Sequence, residues 1–105
     1  MTKVRIDAGV CGFITEVTAE SDDGQNVRLD FSSTCPHVMK AAESLKLVDA
    51  YVEIFTKPAQ TQTYAELSAH LPHAACPVYA GVLKAIEAAA GLALPRPASI
   101  TFVDG

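Results

Sequence analysis

Residues 13–32, FITEVTAESDDGQNVRLDFS, contain two runs in which apolar and polar side chains alternate. The cluster SDDGQN at residues 21–26 separates the runs and is rich in the residue types that favour turns. A period of two is typical of strands, because successive side chains point to opposite faces of a sheet. The alternating positions are Phe13, Thr15, Val17 and Ala19 in the first run and Val27, Leu29 and Phe31 in the second. The stretch therefore predicts two antiparallel strands joined by a turn.

A similar alternation precedes these two strands, with Val4, Ile6 and Ala8 set between charged residues. It predicts another strand, so the first third of the chain is expected to be a three-stranded antiparallel meander. The first two strands are joined by AGVCG at residues 8–12. Glycine adopts backbone torsions that other residues avoid, so the two glycines favour a tight turn or a bulge that projects Cys11.

After the meander the apolar residues recur every three or four positions, which indicates helices. One helix is predicted from Pro36 to Leu47, because proline fits the first helical position. The strongest helical pattern runs from Pro77 to Ala90, and Gly91 is expected to end it. Residues 49–56 are predicted to be helix or irregular chain.

Two further elements are predicted near the breaks in this pattern. Thr61 or Thr63 is expected to cap a short helix after the break at residues 57–60. Residues 99–103, SITFV, alternate once more and predict a closing strand. The fold expected is α+β, a three-stranded meander followed by helices packed on one face, with an extra C-terminal strand. At 105 residues and 11.1 kDa, the chain is expected to form a single domain over residues 1–105.

Composition argues against several kinds of partner. The net charge is −4, with eight Lys and Arg against twelve Asp and Glu, whereas nucleic acids and anionic membranes require a basic surface. No apolar run approaches the roughly 18 residues of a membrane span, and the first residues do not read as a signal peptide. We therefore expect a cytoplasmic protein that binds neither nucleic acid nor membrane. The sequence does not indicate a protein partner.

The three cysteines are the residues with the clearest chemical potential. An odd count leaves at least one thiol free, bound to something, or paired between chains, so a homo-oligomer stays open. Cys35 and Cys76 each precede a proline at a predicted helix start, where the helix dipole favours the thiolate. Cys11 lies in the glycine turn. All three cysteines are therefore predicted at the ends of elements, where functional thiols are usually found.

Histidines near two of the cysteines suggest a metal site. His73 lies three residues before Cys76, and together with Cys11 and Cys35 these residues make four ligands for zinc or an iron–sulfur cluster. His37, water or a second chain are alternatives for the fourth ligand. The remaining histidine, His70, is expected on the surface.

Two other interpretations remain open at this point. Two of the cysteines could cycle between dithiol and disulfide without metal, or all three could be buried structural residues in a small interaction module. A catalytic Cys–His pair would explain only one cysteine, and the chain carries no familiar catalytic motif, so the balance is against an enzyme. The scattered carboxylates are assigned no acid–base role; they are Asp7, Asp30, Glu43 and Glu87.

The order of elements and thiols resembles the NifU/IscU-type scaffold on which iron–sulfur clusters are assembled. That family has a three-stranded sheet followed by helices, with one cysteine in a turn between strands, one opening the next helix and a His–Cys pair opening the last. Cys11 with Gly12, Cys35, and His73 with Cys76 correspond to these positions. The resemblance covers about residues 6–91, and it implies a cluster-binding site formed by these cysteines.

Several features of the scaffold family differ in this chain, and one is that two alanines separate His73 from Cys76. Phe13 stands where the family has the aspartate that helps a cluster to leave, and only Leu71-Pro72 remains of the segment that contacts a chaperone. The resemblance therefore implies a protein that holds its metal or cluster and lacks the features for release.

Overall fold

The computed structural model describes residues 1–104, which form an α+β fold around one antiparallel sheet. The strands are β1 (Thr2–Asp7), β2 (Ile14–Ser21), β3 (Asn26–Ser33) and β4 (Leu47–Asp49), and they lie side by side in chain order. The helices are α1 (Pro36–Ala42), α2 (Ala50–Phe55), α3 (Gln62–Ser68) and α4 (Val78–Ala89), with a 3-10 turn at Pro58–Gln60. Within these residues no helix has the length and apolar character needed to cross a membrane.

The alternating pattern of the first strands separates a buried face from an exposed one. Val17, Ala19 and Val27 are fully buried, whereas Arg28 and Asp30 on the opposite face are exposed. Helix α4 packs across β1 and β2, and α1 packs against β3. The predicted meander is confirmed, and the helices supply the second layer of the core.

The fourth strand lies at a different place from the predicted one. Residues 99–103 form no strand, and the additional strand is β4, which pairs with β3 through Val27 opposite Val48. The Leu29 N–H also donates to the Lys46 carbonyl at 2.8 Å. Helix α1 was predicted to end at Leu47, but it ends at Ala42 because residues 47–49 pair with β3. The spacing of apolar residues reports only on near neighbours, so it could not predict that residues 47–49 pair with a strand about twenty residues earlier.

The predicted helix starts and stops largely agree with the structure. Residues 50–55 are helical, and Asp49 caps α2 by accepting the Tyr51 N–H at 2.9 Å. Thr61 is the residue that caps α3, through the Tyr64 N–H at 3.1 Å. Helix α4 begins one residue after Pro77 and ends before Gly91, whose φ of 75° lies in the left-handed region that glycine favours.

Gly81 allows α4 to approach β1 closely, because it has no side chain. A Cβ atom at this position would overlap Cδ1 and Cγ1 of Ile6. Alanine normally stabilises a helix by about 1 kcal/mol relative to glycine. Here we expect Gly81→Ala to lower the free energy of unfolding by about 1–3 kcal/mol, because the core is overpacked. Urea unfolding measures the change.

A second background tests the cause of this loss. In Ile6→Ala protein the overlapping atoms are absent, so Gly81→Ala should be neutral or stabilise by up to about 1 kcal/mol. If Gly81→Ala destabilised both the unchanged protein and the Ile6→Ala variant, overlap with Ile6 would not be the cause of the loss.

Candidate thiol site

The antiparallel sheet gathers two of the cysteines at one of its ends. Asp7 at the end of β1 lies opposite Ile14 at the start of β2, and Thr15 lies opposite Ser33 near the end of β3. Cys11 lies in the loop that joins β1 to β2, and Cys35 follows β3 by two residues. These two cysteines therefore leave the sheet at the same end.

Helix α4 brings the third cysteine to this end. The close approach of Gly81 to Ile6 places the first turn of α4 beside the last residues of β1. Cys76 precedes α4 by two residues and is partly buried. It therefore lies near the loops that carry Cys11 and Cys35.

The charges of the other two cysteines act on Cys76. Burial is the main cause that raises the pKa of Cys76, and the negative charges of Cys11 and Cys35 raise it further. The Val78 N–H opposes these effects through a hydrogen bond that favours the thiolate. Both other cysteines therefore lie within electrostatic range of Cys76. The segments that carry the three cysteines therefore lie at the same end of the sheet.

The loop of Cys11 is a tight glycine turn, as predicted. The Gly12 N–H donates to the Gly9 carbonyl at 2.9 Å, and both glycines have positive φ, 84° at Gly9 and 75° at Gly12. The Asp7 carboxylate accepts the Gly9 N–H at 2.9 Å and fixes the start of the turn. Cys11 is exposed at its tip. The thiol is thus presented to solvent on a short connection between two strands.

Cys35 is the buried member of the group. It is the N-cap residue of α1, with only 7% of its surface exposed. Its N–H donates to the Ser33 hydroxyl at 3.0 Å, and its carbonyl accepts the Met39 N–H at 3.2 Å. Its side chain makes no capping hydrogen bond. The backbone is therefore held on both sides, and Cys35 belongs to the buried hydrophobic core.

The histidines occupy less defined positions. His73 is exposed, and its carbonyl accepts the Cys76 N–H at 3.3 Å, so residues 73–76 form the tight turn that the two alanines suggested. His37 is exposed in the first turn of α1, and His70 is half-buried at the end of α3. Within residues 1–104, no group of three or more Cys, His, Asp or Glu side chains has the arrangement of a metal site. The three thiols lie at one end of the sheet, but they are not arranged as ligands around one ion.

Sequence reasoning missed an aromatic pair beside Cys76. Tyr79 and Tyr64 stack with ring centroids 4.7 Å apart and planes at 19°. Burial raises the pKa of Tyr79, and the charges of Cys76 and Tyr64 raise it further. Tyr79 is three residues after Cys76, one helical turn away. That spacing is the only signal in the sequence that could have linked them, and it is common in helices.

A comparison with known protein families gives a match along nearly the whole chain. Residues 2–102 match a family of unknown function, DUF6951. The chain belongs to this family. The matched range includes all four strands, all four helices and the three cysteines, so the DUF6951 match contains the complete thiol site. No curated protein and no solved structure gives a match. The resemblance to NifU/IscU-type scaffolds therefore stays a hypothesis.

Proposed function

We propose that this protein binds a thiophilic metal, as a zinc ion or an iron–sulfur cluster, through Cys11, Cys35 and Cys76. The observation that carries the proposal is the geometry of the fold, in which the connection after β1, the end of β3 and the start of α4 carry these cysteines and meet. Three thiols from three separate segments are therefore neighbours at one end of the sheet. Thiolate sulfur is the preferred ligand of zinc and of iron–sulfur clusters.

The direction of the pKa shift favours metal binding over thiol redox chemistry. A nucleophilic or redox-active cysteine functions as the thiolate, and such cysteines usually have a lowered pKa. Cys76 has a raised pKa, since it is partly buried and the other thiolates repel its charge. A bound cation reverses this repulsion, because it compensates the negative charge of all three sulfurs. A raised pKa therefore makes Cys76 a poor nucleophile, and a bound cation would favour its thiolate.

Binding requires the side chains to approach one another, because residues 1–104 hold no ready arrangement of metal ligands. Cys11 is on an exposed loop with two glycines, and Cys76 follows a turn of two exposed alanines, so both thiols can approach the buried Cys35. We propose His73 as the fourth ligand, because its backbone turn with Cys76 keeps the imidazole on the same short segment. Water or a ligand from a second chain would fill the same position if His73 does not.

The surroundings of Cys11 support retention of the metal over its transfer. Phe13 follows Cys11 by two residues and packs, half-buried, against the core. An aspartate occupies this position in the scaffold family that the chain resembles, where it helps the cluster to leave. A buried aromatic side chain offers no carboxylate that could displace a sulfur ligand. We therefore propose a binding protein that keeps its metal.

Metal and sulfide analysis of anaerobically purified protein tests the proposal. We expect about one zinc per chain without sulfide, or iron with acid-labile sulfide in a fixed ratio. Metal at trace levels in every preparation, including protein incubated with zinc or reconstituted with iron and sulfide, would contradict it. Thiol redox chemistry would show itself as a change in free-thiol count between oxidised and reduced protein without bound metal.

The pH dependence of zinc affinity is a second check. Because the pKa of Cys76 is raised, this thiol is protonated at neutral pH and must lose its proton when zinc binds. We expect the apparent affinity to rise with pH through the neutral and alkaline range, with proton release measured in buffers of different ionisation enthalpy. An affinity independent of pH would exclude the thiols as ligands.

A further inference from the structure

The segment that follows α4 carries apolar side chains with no partner in the described chain. Residues 94–104 are exposed throughout and form no helix or strand. Ile100 is 91% exposed, Phe102 99% and Val103 82%, larger exposures than those of the other exposed valine, isoleucine and aromatic side chains except Val10. Such residues pack well in strands and are costly to leave in water. Residues 99–103 therefore have the composition of a β-strand, but they pair with no other strand in the described chain.

Strand β1 supplies an unpaired sheet edge. It is the outermost strand of the sheet, with β2 on one side and no strand on the other within residues 1–104. The Ala8 N–H donates to the Phe13 carbonyl at 3.1 Å, so Ala8 faces β2. Backbone groups alternate in direction along a strand, so every second residue before Ala8 also faces β2. The N–H and C=O groups of Lys3, Arg5 and Asp7 then point to the open edge.

A stiff connection separates the segment from its own sheet. Pro95 and Pro97 restrict the backbone, and the Arg96 N–H donates to the Leu94 carbonyl at 2.8 Å across a tight turn at Pro95. Residues 99–103 are thereby held away from the core of their own chain. A strand-forming segment on a stiff connection is the arrangement that favours exchange between identical chains.

We propose that residues 99–103 of one copy pair with the open edge of β1 in a second copy, so that two chains exchange strands reciprocally. The lengths agree, because β1 has six residues and the segment has five. The core is also incompletely covered at this edge: Val4 in β1 is half-buried, whereas Val17 opposite it in β2 is fully buried. Ile100 and Phe102 are two residues apart, so they share one face of the added strand. On that face they would bury the exposed part of Val4.

Light scattering over a wide concentration range tests the exchange. We expect the chain to form a dimer of twice its 11.1 kDa mass. Arg5→Pro removes an N–H on the open edge without changing the ladder to β2, and Phe102→Asp places a charge on the added strand. Each change should raise the dimer dissociation constant by more than about tenfold. Arg5→Ala keeps the N–H and should dimerise like the unchanged chain, and circular dichroism verifies that all variants fold.

Mixing the two variants gives the decisive result. The Phe102→Asp chain keeps an intact edge and the Arg5→Pro chain keeps an intact segment, so the mixture should form a heterodimer through one exchanged strand. A chain that stays monomeric up to millimolar concentration would overturn the proposal, whether the segment then binds its own sheet or another protein. A dimer that neither substitution weakens would overturn it as well. The outcome is independent of metal binding, which the same samples report separately.

Discussion

Cys11→Ser is expected to lower the affinity for zinc or for a reconstituted cluster by more than about 100-fold. Loss of a residue that only orients a ligand already costs about 10–100-fold, and Cys11 is proposed as a ligand itself. Cys11 is exposed at the tip of its loop, so serine should leave the free energy of unfolding of the metal-free protein within about 0.5 kcal/mol. Competition with a chromogenic chelator measures the affinity, and urea unfolding in EDTA measures the stability.

The neighbouring residue provides a matched control. Val10 is fully exposed in the same loop, so Val10→Ser changes the surface of the turn without removing a sulfur. It should bind metal like the unchanged protein, as should His70→Ala at the end of α3. Equal metal binding by Cys11→Ser and Val10→Ser would contradict a role of Cys11 as ligand.

Cys35→Ser extends this test to the buried thiol. We expect the same loss of metal, together with a moderate loss of stability, because a hydroxyl replaces the thiol of a buried residue. If Cys35 were only a core residue, its substitution would change stability while metal binding by the folded protein persisted. The pair of variants therefore separates a ligand from a structural cysteine.

Glu53→Ala is expected to lower the free energy of unfolding by about 3 kcal/mol. The Glu53 side chain is 3% exposed, and its carboxylate accepts the N–H groups of Gln62 at 2.9 Å and Thr63 at 2.7 Å and the Thr63 hydroxyl. Alanine leaves these donors at the start of α3 without an acceptor, and an unsatisfied buried donor costs about 1–3 kcal/mol. Denaturant unfolding of the metal-free protein measures the loss.

Two further variants identify the origin of this effect. Glu53→Gln keeps the shape of the side chain and an amide oxygen that can still accept from Thr63, but its NH2 group then faces the Gln62 N–H, so we expect a smaller loss than for Glu53→Ala. Glu43→Gln removes an exposed carboxylate that pairs with Lys40 and should change stability by less than about 0.5 kcal/mol. A loss below about 1 kcal/mol for Glu53→Ala would mean that water satisfies the donors of α3.

The buried role of Glu53 could not be predicted from the sequence. Its position in the helix after β4 carries no pattern that distinguishes it from a surface glutamate. Its acceptor role depends on α3, which approaches from nine residues further along the chain. The predicted cap Thr61 could be found because its partner is three residues away, whereas the contact from Glu53 to Thr63 depends on how two helices pack.

The sequence predicts those elements whose signals are local. The period of two in residues 13–32, the helical spacing before Gly91 and the glycine turn around Cys11 each involve neighbours along the chain, so backbone preference and amphipathicity suffice to predict them. It also placed all three cysteines at the ends of elements. Three features could be seen only in the folded chain: β4 belongs to the sheet, residues 99–103 lie outside it, and the segments that carry Cys11 and Cys35 lie at the end of the sheet where α4 begins. Each of these depends on contacts between distant segments, whose free energy appears only when the whole chain packs.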